Sequence, residues 1–236
     1  MIKHIFYDLD GTLLPMDMDD FMSAYFRGIC QKLVPHGYDP DALVKNIWAG
    51  TKAMVLNDGS KTNEDAFWNE FIDKMGPSSA KDKEIFEEFY RVEFNEVRKV
   101  VRPDERIPAL IKTCKEMGLI QTLATNPLFP EIATRNRIEW AGLDVNDFTM
   151  FTTYENSHYC KPNTDYYVEV MEKVGAKPEE TLMVGNDVDE DMIAEKLGMK
   201  VFLITGFMLN KHEKDINLFP HGDWDDLMEY IKKNIA

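Results

Sequence analysis

Asp8 and Asp10 stand two residues apart, directly after the largely apolar run Ile2-Lys3-His4-Ile5-Phe6-Tyr7 and directly before Gly11. Residues 2–8 read as a short buried strand that ends in a turn at Asp10-Gly11. In an open parallel sheet, ligands bind outside the carboxyl ends of the strands. Two carboxylates in such a turn can project into one crevice, where they can do nucleophilic or general acid–base work or share a cation. The plain alternative is a solvent-facing acidic turn, since Asp-Gly is common turn chemistry. That alternative gives no reason for two acids immediately after an apolar strand.

The rest of the chain supplies the elements needed to hold such a crevice. Short strands are expected at Leu119–Ala124, Met150–Thr153, Thr181–Val184 and Lys200–Thr205. Helical patterns lie between them. Residues 105–117 place Ile107, Leu110, Ile111 and Cys114 on one face and stop at Gly118. Pro130 opens a helix that Gly142 closes, residues 165–174 precede Gly175, residues 189–197 precede Gly198, and Trp224–Ile235 forms a last amphipathic helix. Strands alternating with helices imply an α/β fold with a mostly parallel sheet covered on both faces, a three-layer, Rossmann-like core. Residues 15–101 differ, because they lack strand patterns. Phe21, Tyr25, Ile29 and Leu33 fit one helix there; Phe67, Phe71, Ile72 and Met75 fit a second. Ile85, Phe89 and Val92 fit a third, extended by Val97 and Val101. The stretch reads as an all-helical insert.

Composition narrows the function. At 236 residues the chain suits one large domain or one domain with an insertion. No stretch approaches the ~20 apolar residues of a membrane helix, and the N-terminus lacks the apolar core of a secretory signal, so a cytoplasmic protein is expected. A net charge of -15 makes nucleic acid a poor partner. If the substrate carries phosphate, a local divalent metal would cancel the repulsion. Cys30, Cys114 and Cys160 are too few and too scattered for a disulfide framework or a zinc site. The five histidines show no ligand spacing.

Asp8-Leu9-Asp10-Gly11-Thr12 resembles the DxDGT signature of the haloacid dehalogenase-like superfamily. Three further segments resemble that family's other motifs, in its order. Leu123-Ala124-Thr125-Asn126 is a strand ending in threonine, Lys161-Pro162 a lone basic residue opening a helix, and Gly185-Asn186-Asp187-Val188-Asp189-Glu190-Asp191 an acidic loop after a strand. The resemblance implies a catalytic core of residues 1–14 and 102–236, with residues 15–101 as a helical cap domain.

On this resemblance Asp8 is the nucleophile that forms an aspartyl-phosphate, and Asp10 the general acid and base. Gly11, Thr12, Thr125, Asn126 and Lys161 are expected to hold the phosphate. Mg²⁺ is the expected cofactor, with Asp8, Asp10, Asn186, Asp187 and Asp191 as its candidate holders. The family usually has aspartate where Asn186 stands; Asp187 is expected to take over as ligand, with Asn186 itself as the alternative. The implied activity is hydrolysis of a small phosphorylated metabolite by a monomer or weak homo-oligomer. A phosphomutase, a phosphonate hydrolase using Lys45 or Lys52, and an inert binding protein are the rival readings. Asp10 argues against a dehalogenase, because carbon–halogen cleavage needs no acid for its leaving group.

Overall fold

The computed structural model describes residues 1–235. Six strands form one sheet in the order β3-β2-β1-β4-β5-β6. They are β1 (His4–Tyr7), β2 (Ile120–Leu123), β3 (Met150–Phe151), β4 (Thr181–Gly185), β5 (Lys200–Ile204) and β6 (His221–Gly222). Every neighbouring pair is parallel. Strand β1 is buried along its whole length, as expected of a central strand covered on both faces. Successive side chains divide between the faces. Ile5 and Tyr7 join one core cluster, which includes Ile107, Leu110, Leu227 and Ile231. Phe6 joins the other, with Tyr166, Tyr167 and Val170. The helices concerned are α5 (Arg106–Glu116) and α8 (Trp224–Asn234) on one side and α7 (Thr164–Val174) on the other; α6 (Glu131–Trp140) adds Ala133 and Ile138 to the first cluster.

Strand order reverses direction between β1 and β4, and such a switch point opens a crevice at the strand ends. Register sets what lies at its lip. Tyr7 pairs with Leu123 on one side and Val184 on the other. The Asp8 N–H donates to the Val184 carbonyl at 2.8 Å, and the Ala124 N–H to the Tyr7 carbonyl at 2.7 Å. Asp8, Thr125 and Asn186 therefore leave three adjacent strands at nearly one level.

Between β1 and β2 the chain forms α1 (Met18–Leu33), α2 (Pro40–Val55), α3 (Asn63–Met75), α4 (Lys83–Arg91) and a 3₁₀ segment at Glu93–Val100. Its ends are pinned together: Met16 bridges Val101, and the Arg102 N–H donates to the Pro15 carbonyl at 2.8 Å. Three local expectations differ from what is found. Helix α2 was not anticipated, although Asp39 caps it and Pro40 occupies its first turn. The helix expected through residue 101 stops at Arg91, because Val92 leaves helical geometry at φ -115, ψ -75. The 3₁₀ turns that follow bury Phe94 against Phe21, Phe89 and Trp140. The helix expected at 189–197 is instead a 3₁₀ segment, Met192–Leu197, preceded by tight turns that Asp187 caps. No helix among the described residues is long and apolar enough to cross a membrane.

Asn63, fully buried, joins the inserted helices to the segment before Lys161. Its N–H donates to the Ser157 carbonyl at 2.8 Å, and its Nδ2 to the Tyr159 carbonyl at 3.2 Å and to Cys160 Sγ at 3.3 Å. Removing the amide strands buried acceptors, so Asn63→Ala is expected to cost about 1–3 kcal/mol of stability. Urea unfolding measures this, and an unchanged midpoint would mean that these bonds add nothing.

Candidate active site

Asp8 is buried at the end of β1. Its Oδ1 accepts from Lys161 Nζ at 2.9 Å, and its Oδ2 faces the Thr12 hydroxyl at 3.3 Å. Lys161, 1% exposed, also donates to Asp191 Oδ1 at 2.6 Å. The other Asp191 oxygen accepts from the Asp187 N–H at 3.0 Å, so Asp191 ties the lysine to the acidic loop. That close approach needs Gly185: a Cβ there would meet the Asp191 carboxylate at 2.0 Å. Gly11 has φ +81, and a Cβ on it would meet Asn186 Nδ2 at 2.2 Å. The turn after β1 can therefore pack against the loop after β4 only with glycine at position 11.

Asp10 Oδ2 is ion-paired with the Arg137 guanidinium, and its buried Oδ1 has no partner. Arg137 is fully buried on α6. It also donates to Thr134 Oγ1 at 3.2 Å and lies over the Phe129 ring at 4.5 Å. At the end of β2, the Thr125 carbonyl accepts from Tyr166 at 2.8 Å and from Thr152 at 2.6 Å, which fixes the backbone there. Asn126 accepts from the Lys161 N–H at 3.2 Å and donates to Glu190 at 2.9 Å.

Asn186 and Asp187 face different partners. Asn186 Oδ1 accepts from the Thr12 hydroxyl at 3.0 Å, while its Nδ2 donates to the Phe207 carbonyl at 2.6 Å. An aspartate at 186 would turn a second oxygen toward that carbonyl. Asp187 Oδ1 accepts from the Asp189 and Glu190 N–H groups at 2.7 and 2.9 Å, so one of its oxygens serves the loop's own backbone.

Asp8, Asp10, Thr125, Asn126 and Lys161 line one cavity of about 390 Å³, as do Asn186, Asp187 and Asp191. Gly11 and Thr12 do not line it, although the Thr12 hydroxyl contacts Asp8. Of the cationic side chains considered on the inserted helices, Arg27, Lys45 and Lys52 are exposed, Lys32 is paired with Glu88 and Glu93, and none lines the cavity.

Charge in the site is unbalanced. Burial pushes Asp8, Asp10 and Asp187 above the ordinary carboxylate range, opposed by Lys161 at Asp8 and by Arg137 at Asp10. Burial likewise lifts Glu190 to about 7. Burial works against the Lys161 ammonium, but Asp191 and Asp8 outweigh it and hold that group well above its usual value. Among the described residues, no three His, Cys, Asp or Glu side chains form a ready-made metal cage. The donor set still fits a hard divalent cation, which takes one or two carboxylates together with neutral oxygens and water. A cation beside Asp8 would favour its ionised form and offset the surplus of acids.

Arg137 falls in none of the motifs, and Glu190 falls within the acidic loop without a role of its own. Arg137 could have been noticed as a charged residue on the apolar face of α6, three and four residues after Thr134 and Ala133 and next to Ile138.

A family model described as haloacid dehalogenase-like hydrolase matches residues 2–198. The phosphoglycolate phosphatase of Aquifex aeolicus is 25% identical over 231 residues, covering 97% of each chain. Pyrophosphatase PpaX of Halalkalibacterium halodurans is 28% identical over 203 residues, covering 86% of this chain and 83% of that one. Among solved structures, a 2-haloacid dehalogenase from Pseudomonas syringae pv. tomato superimposes with a TM-score of 0.65 over 99% of both chains at 17% identity, a likeness of fold.

Proposed function

This chain belongs to the haloacid dehalogenase-like hydrolase family, and on that premise we propose that it is a phosphatase that hydrolyses a phosphate monoester through an aspartyl-phosphate on Asp8. One observation carries the reading: a buried carboxylate, Asp8, held by Lys161, shares a cavity with a second carboxylate, Asp10. The phosphatase and pyrophosphatase names of the two relatives support a phosphorus centre. The dehalogenase likeness is one of fold, and Asp10 is the residue that a dehalogenase has no use for.

In this mechanism Asp8 attacks phosphorus in line with the leaving oxygen, and the P–O bond to the alcohol breaks as the Asp8–P bond forms. Lys161 and the Thr125 hydroxyl hold the non-bridging oxygens. Asp10 gives a proton to the departing alkoxide, then takes one from the water that attacks the acyl phosphate. Arg137 fixes where the Asp10 carboxylate sits. Asp8, Asp10 and the 186–191 loop would hold a magnesium ion, which when bound would supply charge neutralisation to the phosphoryl group. Residues 15–101 act as the cap over a core of residues 1–14 and 102–236, shutting bulk water out during attack by Asp8 and admitting the single water that later cleaves the acyl phosphate.

Phosphate release from an aryl phosphate tests the reading. Release should depend on magnesium, and no release at any magnesium concentration would end it. Within the acidic loop, the contacts favour Asn186 over Asp187 as the nearer metal ligand, since the Thr12 hydroxyl links Asn186 Oδ1 to Asp8 Oδ2, whereas Asp187 Oδ1 serves the loop's own backbone. Calorimetric titration of the metal-free protein should therefore find magnesium binding weakened more by Asn186→Ala than by Asp187→Asn. The reverse order would assign the ligand to Asp187.

A further inference from the structure

The cavity that holds Asp8 has a second wall, built from the inserted helices. Phe21, Tyr25 and Phe26 on α1, Trp48 and Val55 on α2, and Phe129 after β2 contribute to it. Among the described residues, none from 15–101 that lines the cavity carries a charge. The charges on the cavity belong to the catalytic end, apart from Lys211 in the loop after β5. Polar atoms of the wall are partly spent on each other: the Tyr25 and Tyr90 hydroxyls lie 2.9 Å apart and hydrogen-bond. The wall also runs out to the surface. Trp48 is 47% exposed and Val55 39%, and the Trp48 ring stands 5.5 Å from Phe26.

A substrate is placed by its phosphate, which must reach Asp8 and Lys161. Its organic part must then lie along this wall. A second anionic group there would leave water for uncharged rings, with no cation on α1 or α2 to meet it and Lys211 only in the loop after β5, which is costly. An apolar group would instead cover aromatic surface that is now open to water. We propose that the substrate is a phosphate monoester whose organic part is uncharged and largely apolar, and that the wall formed by α1 and α2 selects it. This rests on the phosphatase reading and separates the protein from enzymes whose substrates carry a second anion, such as phosphoglycolate or pyrophosphate.

The test uses the intact protein with magnesium and a series of ethyl, butyl, hexyl and octyl phosphates. Their leaving groups are chemically alike, so differences in kcat/KM report on the wall. Each methylene that enters the wall should raise kcat/KM by about fourfold, until the chain outgrows the cavity. Phosphoglycolate and pyrophosphate should fall below hexyl phosphate. Trp48→Ser, at a half-exposed position, should flatten the rise with chain length. Thr51, on α2, also lines the cavity, so Thr51→Lys puts a cation on the wall and should narrow the gap between hexyl phosphate and phosphoglycolate. A flat series, or phosphoglycolate or pyrophosphate as the best substrate, overturns this inference while leaving the phosphatase reading intact, provided an aryl phosphate is still hydrolysed. No hydrolysis of any ester, aryl phosphate included, overturns both.

Discussion

Asp8→Asn is expected to abolish turnover, with a loss on the order of 10⁴–10⁶-fold, while the protein stays folded. An amide nearly matches the carboxylate in shape but cannot attack phosphorus. The surroundings tolerate the change. Lys161 keeps its 2.6 Å bond to Asp191, so no buried ammonium is left unpaired. The amide oxygen of the variant can still accept from Lys161. Unfolding midpoints of the two proteins should therefore be close, and the difference should lie in the rate. Activity near wild type, in protein free of contaminating phosphatase, would remove Asp8 from the mechanism.

Asp10→Asn should lower kcat by about 10²–10⁴-fold, the usual worth of general acid–base assistance. The loss should be uneven across substrates. An alkyl phosphate needs its leaving oxygen protonated, whereas a nitrophenyl phosphate leaves readily without help. The variant should therefore lose far more on the alkyl ester. The amide oxygen introduced at position 10 can still accept from Arg137, which also keeps Thr134 and the Phe129 ring. The buried guanidinium loses its carboxylate, however, so the variant should be less stable than wild type and its kcat must be read on folded protein. Equal losses on both esters would mean that Asp10 moves no proton to the leaving group and acts only on the local charge.

Much of this arrangement was legible in the sequence because it rests on short-range patterns. Buried parallel strands are apolar runs, and β1, β2, β4 and β5 could be read as such within a residue or two of their ends. The residues that leave those strands follow directly. Strand β6 offered no such run, since His221 and Gly222 pair with β5 through backbone alone. Helix α2 was hidden for a different reason: Gly50 sits on its buried face, and Trp48, Val55 and Leu56 are exposed hydrophobics that blur the amphipathic pattern. What a side chain touches across the fold was least legible. Nothing in the spacing said that Arg137 would meet Asp10, 127 residues earlier in the chain. Nor could adjacency in sequence decide between Asn186 and Asp187, because the turn after β4 sends one toward Thr12 and the other back to its own loop. The apolar character of the cavity wall likewise depends on which faces of α1 and α2 turn inward, leaving Arg27, Lys45 and Lys52 in solvent.

The central claim is a covalent phosphoryl group on Asp8. Rapid acid quench of the magnesium-loaded protein with a substrate labelled in its phosphoryl group tests it most directly. The account predicts label on the protein within the first turnover, in a peptide that contains Asp8. The label should be base-labile, and borohydride should convert position 8 to homoserine, as expected of an acyl phosphate. Phosphate release with no labelled protein at any quench time, including under conditions that slow the second step, or label at any other residue, would contradict it.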